Sequence, residues 1–327
     1  MEMEIKRIAV MTSGGDAPGM NAALRAVVRT ASHYDLHVYG VNRGYEGLIE
    51  GDLKRLERKT VANIIQRGGT ILKTARSERF KEAAGRKQAL ESLKAYDIDA
   101  LIAIGGNGTF TGADIFSKEH GLPVIGIPGT IDNDLYGTDL TIGFDTAVNT
   151  AIEAVDRIRD TADSHQRLFF IEVMGRHAGY IALHTGIGSG AESILIPERA
   201  FSIEELVDHL RKSLKRKKLF SLVVVAEGNQ FGNAFHIAEK VKEYDAHFDA
   251  RVTVIGHLQR GGAPSSVDRV LASRLGFAAV GALINGKKNV MVGITNNKVS
   301  YTPFEEAITM HKPFNEDLIQ MAEILAQ

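Results

Sequence analysis

Asp132 and Asp134 stand two residues apart in the run Pro128-Gly129-Thr130-Ile131-Asp132-Asn133-Asp134. In an extended segment that spacing turns both carboxylates to the same side. A carboxylate can take the proton of an alcohol as its oxygen attacks, and a second one can support a metal-bound phosphate. Thr130 adds a hydroxyl, and Gly129 lets a ligand approach the backbone closely. The apolar stretch Pro123-Val124-Ile125-Gly126-Ile127 precedes the run, so the carboxylates lie just past a strand. Open α/β sheets place their chemistry there. The competing reading is a plain turn, which Asp and Asn favour by themselves.

Two glycine turns weigh against the plain turn. Thr12-Ser13-Gly14-Gly15-Asp16-Ala17-Pro18-Gly19 follows the first apolar run, and Gly105-Gly106-Asn107-Gly108-Thr109 follows the run ending at Ile104. Such turns let backbone N–H groups approach a phosphate, with a helix dipole behind them. Neither carries the Gly-Lys-Ser/Thr of a P-loop or the dinucleotide fingerprint. Together with the paired carboxylates they suggest a nucleotide phosphate site built from strand ends. Cationic groups recur beside glycines: Arg76 beyond Arg67-Gly68-Gly69-Thr70, Arg176 in Met174-Gly175-Arg176-His177-Ala178-Gly179, and His257 with Arg260 in Gly256-His257-Leu258-Gln259-Arg260-Gly261-Gly262. Guanidinium groups bind phosphate oxygens bidentately and neutralise charge on a transferring phosphoryl group. A lone arginine usually marks only a solvated surface.

The elements that must position these residues alternate. Apolar runs predict strands at 8–11, 37–41, 100–104, 124–127, 168–173, 193–196, 222–226, 252–255 and 290–294. Amphipathic stretches predict helices at 20–32, 109–118, 146–160, 203–214 and 267–283. Strand–helix alternation implies parallel sheets covered on both faces. At 327 residues the chain is too long for one ordinary core and suggests two α/β lobes. Lys and Arg total 39 against 40 Asp and Glu, a net charge of −1, which argues against a general nucleic-acid or membrane-surface binder. Cysteine is absent, which excludes disulfides and thiolate chemistry. No apolar run approaches the roughly 20 residues that span a bilayer, and the first residues lack a signal-peptide pattern. A cytoplasmic location is expected.

The segments 12–21, 67–76, 105–108, 128–134, 164–167, 173–176 and 256–262 together resemble the bacterial ATP-dependent 6-phosphofructokinase family, over nearly the whole chain. The resemblance implies transfer of the γ-phosphoryl of ATP to the 1-hydroxyl of fructose 6-phosphate, with Mg²⁺. It implies two similar lobes, each a largely parallel sheet covered by helices: an ATP lobe at 1–143 plus 257–302, and a sugar-phosphate lobe at 144–256 plus 303–327.

By the same resemblance Asp132 is the general base, Thr130 touches the sugar or the transferred phosphoryl, Asp134 supports the metal–phosphate arrangement and Arg176 stabilises the transferring charge. Gly15, Tyr45, Arg76, Ser77, Gly106, Asn107, Gly108 and Thr109 match its ATP contacts. Met174, Gly175, Glu227, His257 and Arg260 match its sugar-phosphate contacts. Arg167 and Arg251 match arginines that reach the 6-phosphate from a neighbouring subunit, which implies a homotetramer with shared sites. Arg25, Arg29, Arg58, Arg159, Gly190, Glu192, Arg216 and Lys218 match a second anion site for ADP or phosphoenolpyruvate. Arg25 and Arg29, four apart on one helix face, fit that reading by themselves.

Pyrophosphate-dependent relatives typically carry Asp at the position of Gly108 and Lys at that of Gly129, so two glycines favour ATP. The departure from the family is Asn107, where relatives usually have an Asp that serves Mg²⁺. Asparagine keeps one carbonyl oxygen and loses the charge. A catalytically weakened nucleotide or sugar-phosphate sensor is therefore the alternative, with a pyrophosphate-dependent enzyme behind it.

Overall fold

The computed structural model describes residues 5–163, 168–215 and 221–326. In chain order the elements are β1 (Arg7–Thr12), α1 (Met20–His33), β2 (His37–Val41), α2 (Gly44–Glu50), β3 (Leu53–Leu56), α3 (Ala83–Ala95), β4 (Ala100–Gly105), α4 (Asn107–His120), β5 (Val124–Pro128) and α5 (Phe144–Asp163). There follow β6 (Leu168–Val173), α6 (Tyr180–Ser189), β7 (Ser193–Leu195), α7 (Ile203–Lys215), β8 (Ser221–Ala226), α8 (Ala234–Tyr244), β9 (Ala250–Val254), α9 (Ser266–Ile284), β10 (Val290–Thr295), β11 (Lys298–Pro303), α10 (Phe304–Thr309) and α11 (Glu316–Leu325).

Contacts divide the chain into two units. The first holds residues 1–130, 135–146 and 260–312, and its sheet runs β11-β10-β5-β4-β1-β2-β3. β1, β4 and β5 are apolar along almost their whole length because helices cover both faces, and β1, β2, β4, β5 and β10 run parallel. β3 and β11 pair antiparallel at the two edges, where a strand needs only one ladder of partners. Phe110, Phe116, Leu101, Phe80 and Phe304 belong to one buried cluster on one side of this sheet.

The second unit holds residues 131–134, 147–259 and 313–327, with a fully parallel sheet β7-β8-β6-β9. Phe170, Val223 and Val225 pack there with Leu206 and Leu210 of α7 and Ile237 and Val241 of α8. The two sheets thus differ in size. The contacts divide the chain at 146, 259 and 312, where the resemblance puts its lobe limits at 143, 256 and 302. Phe304 and Ala307 explain the last difference, since both are buried in the core of the first unit. Among the described residues, no helix is long and apolar enough to cross a membrane.

Candidate active site

In the first unit the strand order places β1 between β4 and β2, so connections leave in opposite directions on either side of β1 and β4. Such a switch point opens a crevice at the carboxyl ends of the strands. Both glycine turns emerge there, and the Ser13 amide donates to the Ile104 carbonyl at 2.9 Å, so the turns start side by side. α4 begins at Asn107 with Gly106 as its cap, with no capping side-chain hydrogen bond and no acidic residue in its first turn. The Thr109 amide donates to the Gly106 carbonyl at 3.0 Å, which leaves the amides of Asn107 and Gly108 for an anion. The Thr109 hydroxyl oxygen is buried behind them and has no hydrogen-bond partner among the described residues. The phenol of Tyr45 donates to the Thr109 carbonyl at 2.6 Å, and its ring stacks on Phe80 with centroids 3.9 Å apart. Burial pushes the Tyr45 phenol up, and the side chain braces the turn from the core side.

Gly108 and Gly129, which the resemblance ties to the choice of phosphoryl donor, differ in surroundings. A Cβ on Gly108 would meet nothing within 4 Å. One on Gly129 would stand 3.1 Å from both Ile104 Cγ2 and Met20 Cε, so core packing alone disfavours a larger residue there.

The loop that carries Arg76 is tied to the first turn. Asn21 of α1 donates to the carbonyls of Arg67 and Gly68 and accepts the Ile71 amide, while the Thr12 hydroxyl donates to the Lys73 carbonyl at 2.9 Å. Arg76 itself is exposed. The Ser77 hydroxyl donates to Glu46 at 2.5 Å, and Arg79 donates to the other carboxylate oxygen at 2.7 Å. The Ser77 hydrogen bond, and then Arg79, hold the Glu46 carboxyl below the usual range. Arg260, matched by resemblance to a sugar contact, lies in the first unit, where its guanidinium donates to the Asp16 carbonyl at 3.1 Å. A Cβ on Gly15 would stand 2.7 Å from the same guanidinium.

The strand end after β5 is held on two sides. The Gly129 amide donates to Gly105, and the Ile142 amide donates to Pro128, both at 2.9 Å. Thr130 and Asp132 are buried, Asp134 is half-buried, and Asn133 turns through φ 55°. Asp134 belongs with Tyr180 in the second unit. Burial, then the carboxylates of Glu198 and Asp134, push the Tyr180 phenol up to about 12. Among the described residues, no three His, Asp or Glu side chains come together as a metal cage. By resemblance Asn107, in the first unit, and Asp134, in the second, are given to the cation, and each carries an oxygen donor of the kind a hard cation takes.

In the second unit the neighbouring strands β8, β6 and β9 end beside one another, and each is followed by a residue singled out from the sequence. Glu227 follows β8, Met174 to Arg176 follow β6, and His257 follows β9. One carboxylate oxygen of Glu227 accepts the amides of Gly175 at 3.2 Å and Arg176 at 2.8 Å. Arg176 adopts φ 54°, unusual for a residue with a side chain, and is exposed. Gly228 admits this turn, since a Cβ there would stand 1.8 Å from the Arg176 carbonyl oxygen. The fully buried Gln259 accepts the Met174 amide at 2.9 Å. His257 is exposed, and exposed Arg251 on the edge strand β9 pairs with Asp249 at 3.2 Å. Arg167 lies outside the described residues.

The family profile described as phosphofructokinase matches residues 7–283. The chain belongs to the phosphofructokinase family. It is 55% identical over 321 residues to a protein of Cytophaga hutchinsonii called ATP-dependent 6-phosphofructokinase, covering 98% of both chains. It is 56% identical over 322 residues to ATP-dependent 6-phosphofructokinase 1 of Thermus thermophilus, covering 98% of this chain and 100% of that one. The solved phosphofructokinase of Saccharomyces cerevisiae superposes with a TM-score of 0.89 at 39% identity. That comparison covers 98% of this chain and 48% of the yeast chain, so this phosphofructokinase spans about half the yeast chain's length.

The residues matched to a phosphofructokinase effector site fall in two groups. In the first unit Arg25 and Arg29 lie on α1, and Arg58 donates to the carbonyl of Ser32 near the end of that helix at 3.3 Å. Burial and the neighbouring Arg29 lower the pKa of Arg25. In the second unit Gly190 ends α6 at φ 62°, with Arg159 Nη2 3.9 Å from where its Cβ would lie, and buried Glu192 accepts the Leu222 amide. Arg216 and Lys218 lie outside the described residues.

Sequence reasoning did not single out Gln259, Glu46 or Asp268. Gln259 lies inside the run 256–262 and reads as polar, with nothing to mark it as buried. Glu46 is 31 residues from the serine it holds. Asp268 sits where an ordinary helix-start acidic residue would, and its partners lie more than 120 residues away.

Proposed function

We propose that this phosphofructokinase transfers the γ-phosphoryl group of ATP to the 1-hydroxyl of fructose 6-phosphate, giving fructose 1,6-bisphosphate and ADP. The observation that carries the reading is 55% identity, over 98% of both chains, to a protein of that name. The geometry supports it. The uncapped start of α4 and the first glycine turn offer N–H groups to ATP phosphates, with Gly15, Arg76, Ser77 and Gly106 to Thr109 as contacts. Tyr45 contributes from behind by bracing Thr109. Met174, Gly175, Glu227, His257 and Arg260 receive the sugar phosphate, and Arg167 and Arg251 reach its 6-phosphate from a neighbouring subunit.

Asp132 accepts the proton of the 1-hydroxyl as that oxygen attacks, and Thr130 orients the reacting groups. The proton leaves on the Asp132 carboxylate while the bond from the γ-phosphorus to the β–γ bridging oxygen breaks. Arg176 meets the negative charge spread over the transferring oxygens. Asn107 and Asp134 are the residues that would hold Mg²⁺, which would neutralise charge on the substrate phosphates. Gly108 favours ATP over pyrophosphate, because the space in front of it is open where a side chain would stand. A cytoplasmic homotetramer with shared sites belongs to the same reading, as does control by ADP or phosphoenolpyruvate through Arg25, Arg29, Arg58, Arg159, Gly190, Glu192, Arg216 and Lys218.

A coupled assay with fructose 6-phosphate and Mg²⁺, offering ATP and pyrophosphate separately, tests the reading. Turnover with ATP and none with pyrophosphate is expected. Asp132→Asn should lower kcat by about 10²–10⁴-fold with little change in KM for fructose 6-phosphate. Absence of ADP release by the parent protein would overturn the proposal.

A further inference from the structure

The start of α5 is capped from a distance. Asp268, fully buried on α9, accepts the Gly143 amide on one oxygen at 2.8 Å. Its other oxygen accepts the Thr146 amide at 2.8 Å and the Thr146 hydroxyl at 2.5 Å. Thr146 Oγ1 in turn accepts the Ser265 amide at 2.9 Å, and the Ser265 hydroxyl donates to Asp145. Helix starts usually satisfy their first amides with a local Ser, Thr, Asp or Asn. Here residues from the start of another helix do so, which locks the turn 141–146. Gly143 suits that turn because φ is 102°.

The same turn grips the strand end that leads to Asp132. The hydroxyl of Thr141, itself fully buried, donates to the Thr130 carbonyl at 2.6 Å. One residue on, the Ile142 amide donates to the Pro128 carbonyl at 2.9 Å. Both carbonyls belong to the segment immediately before Ile131 and Asp132. The Thr130 carbonyl is half of the peptide unit that joins Thr130 to Ile131, so its direction sets how the chain enters the carboxylate turn. A capping role alone would not require either of these bonds.

We propose that Thr141 and Asp268 are positioning residues for the phosphoryl-transfer turn: Asp268 fixes the 141–146 turn, and Thr141 transmits that fix to Thr130 and onward to Asp132. The inference rests on the phosphoryl-transfer reading above. Small misplacements of reacting groups cost rate far more than they cost binding. The expected signature is therefore a loss in kcat at nearly unchanged KM.

The test compares the parent with Thr141→Val, Thr141→Ser, Asp268→Asn and Ser117→Ala. It uses the fructose 6-phosphate and ATP assay, together with amide hydrogen exchange over residues 128–134. Ser117 is a buried hydroxyl of the same unit that bonds the Leu122 carbonyl and the Asn289 side-chain oxygen at the far end of α4, so its loss reports a general packing defect. Thr141→Val should lower kcat about tenfold with KM values within about twofold, and Thr141→Ser should recover most of it. Exchange over 128–134 should rise in Thr141→Val and Asp268→Asn and stay at the parent level in Ser117→Ala. Unchanged exchange in Thr141→Val, or an equal rise in Ser117→Ala, overturns the proposal. A parent protein inactive with these substrates would overturn the functional reading instead, and the exchange contrast would still decide the positioning role.

Discussion

A single carboxylate oxygen of Glu227 holds the backbone amides of both Gly175 and Arg176. Arg176 thus keeps its left-handed conformation because Glu227 accepts its N–H, and the guanidinium is aimed from that fixed backbone. Glu227 can therefore act through Arg176, beside the sugar contact proposed for it. Glu227→Ala should lower kcat about 10–100-fold, in line with the worth of a hydrogen bond to a charged group. Glu227→Gln, which keeps an acceptor oxygen, should lose less. Combined with Arg176→Ala, the Glu227→Ala change should add little, since both remove one function. Fully additive losses in the double variant would mean that Glu227 works on the substrate by itself.

The carboxyl ends of the strands were readable because the chain marks them with glycines next to Asp, Asn, Thr or Arg, and such marks follow β1, β4, β5, β6 and the segment after β9. Edge strands left weaker marks. β3 is Leu-Lys-Arg-Leu, with both central side chains exposed, and needs only the ladder from β2. β11 pairs across Asn296 and Asn297, both at positive φ, and that Asn-Asn pair was an available hairpin signal. α3 buries only Gly85, Arg86, Ala89 and Leu93, so its apolar stripe is thin. The bonds of Asp268 and Glu46 were out of reach because neither spacing nor composition couples residues so distant in sequence.

Gly108 and Gly129 make separable predictions. Gly108→Asp places a carboxylate in open space, so folding stability should change by no more than about 0.5 kcal/mol. The KM for ATP should rise, because on the proposed reading the new charge faces phosphate oxygens. Gly129→Ala presses a methyl against Ile104 and Met20, and overpacking of this kind costs about 1–3 kcal/mol. Thermal unfolding and ATP kinetics of both variants decide the matter. Equal destabilisation by the two changes would contradict the difference in their surroundings.

Asp268 carries a pH dependence whose sign follows from its burial. Burial, reinforced weakly by Asp145, raises its carboxyl above the usual range against the opposing hydrogen bonds from Thr146 and Gly143. The folded protein then binds that proton more tightly than the unfolded chain does. The residue's contribution is greatest at the acid end and declines as pH rises from the ordinary carboxylate value through the raised one. Asp268→Asn has no such titration and loses one acceptor at every pH. The stability gap between parent and variant should therefore narrow as pH rises from about 4 towards neutrality. Denaturant melts at several pH values check this, and a gap that widens with pH would show that the carboxylate is stabilised in its charged form.

Asn107 is the first residue of α4, with no acidic side chain in that first turn. A carboxylate introduced there meets two opposing demands. Without nucleotide it complements the helix N-terminus, so Asn107→Asp should stabilise the unliganded protein by about 0.3–1 kcal/mol. With nucleotide it competes with phosphate oxygens for the same N–H groups unless a cation lies between them. Mg²⁺ uses one or two carboxylates beside substrate phosphates, so the added charge should lower the Mg²⁺ concentration for half-maximal rate. It should leave the KM for fructose 6-phosphate unchanged, because on the proposed reading most residues given to the sugar phosphate, Met174, Gly175, Glu227 and His257 among them, belong to the other unit. Free ATP without Mg²⁺ should bind the variant more weakly than the parent, through plain charge repulsion. Mg²⁺ titrations at saturating substrates and ATP binding in a chelator separate these effects. Superimposable Mg²⁺ curves with weakened metal-free ATP binding would mean that the residue at 107 faces the phosphates and takes no part in holding the metal.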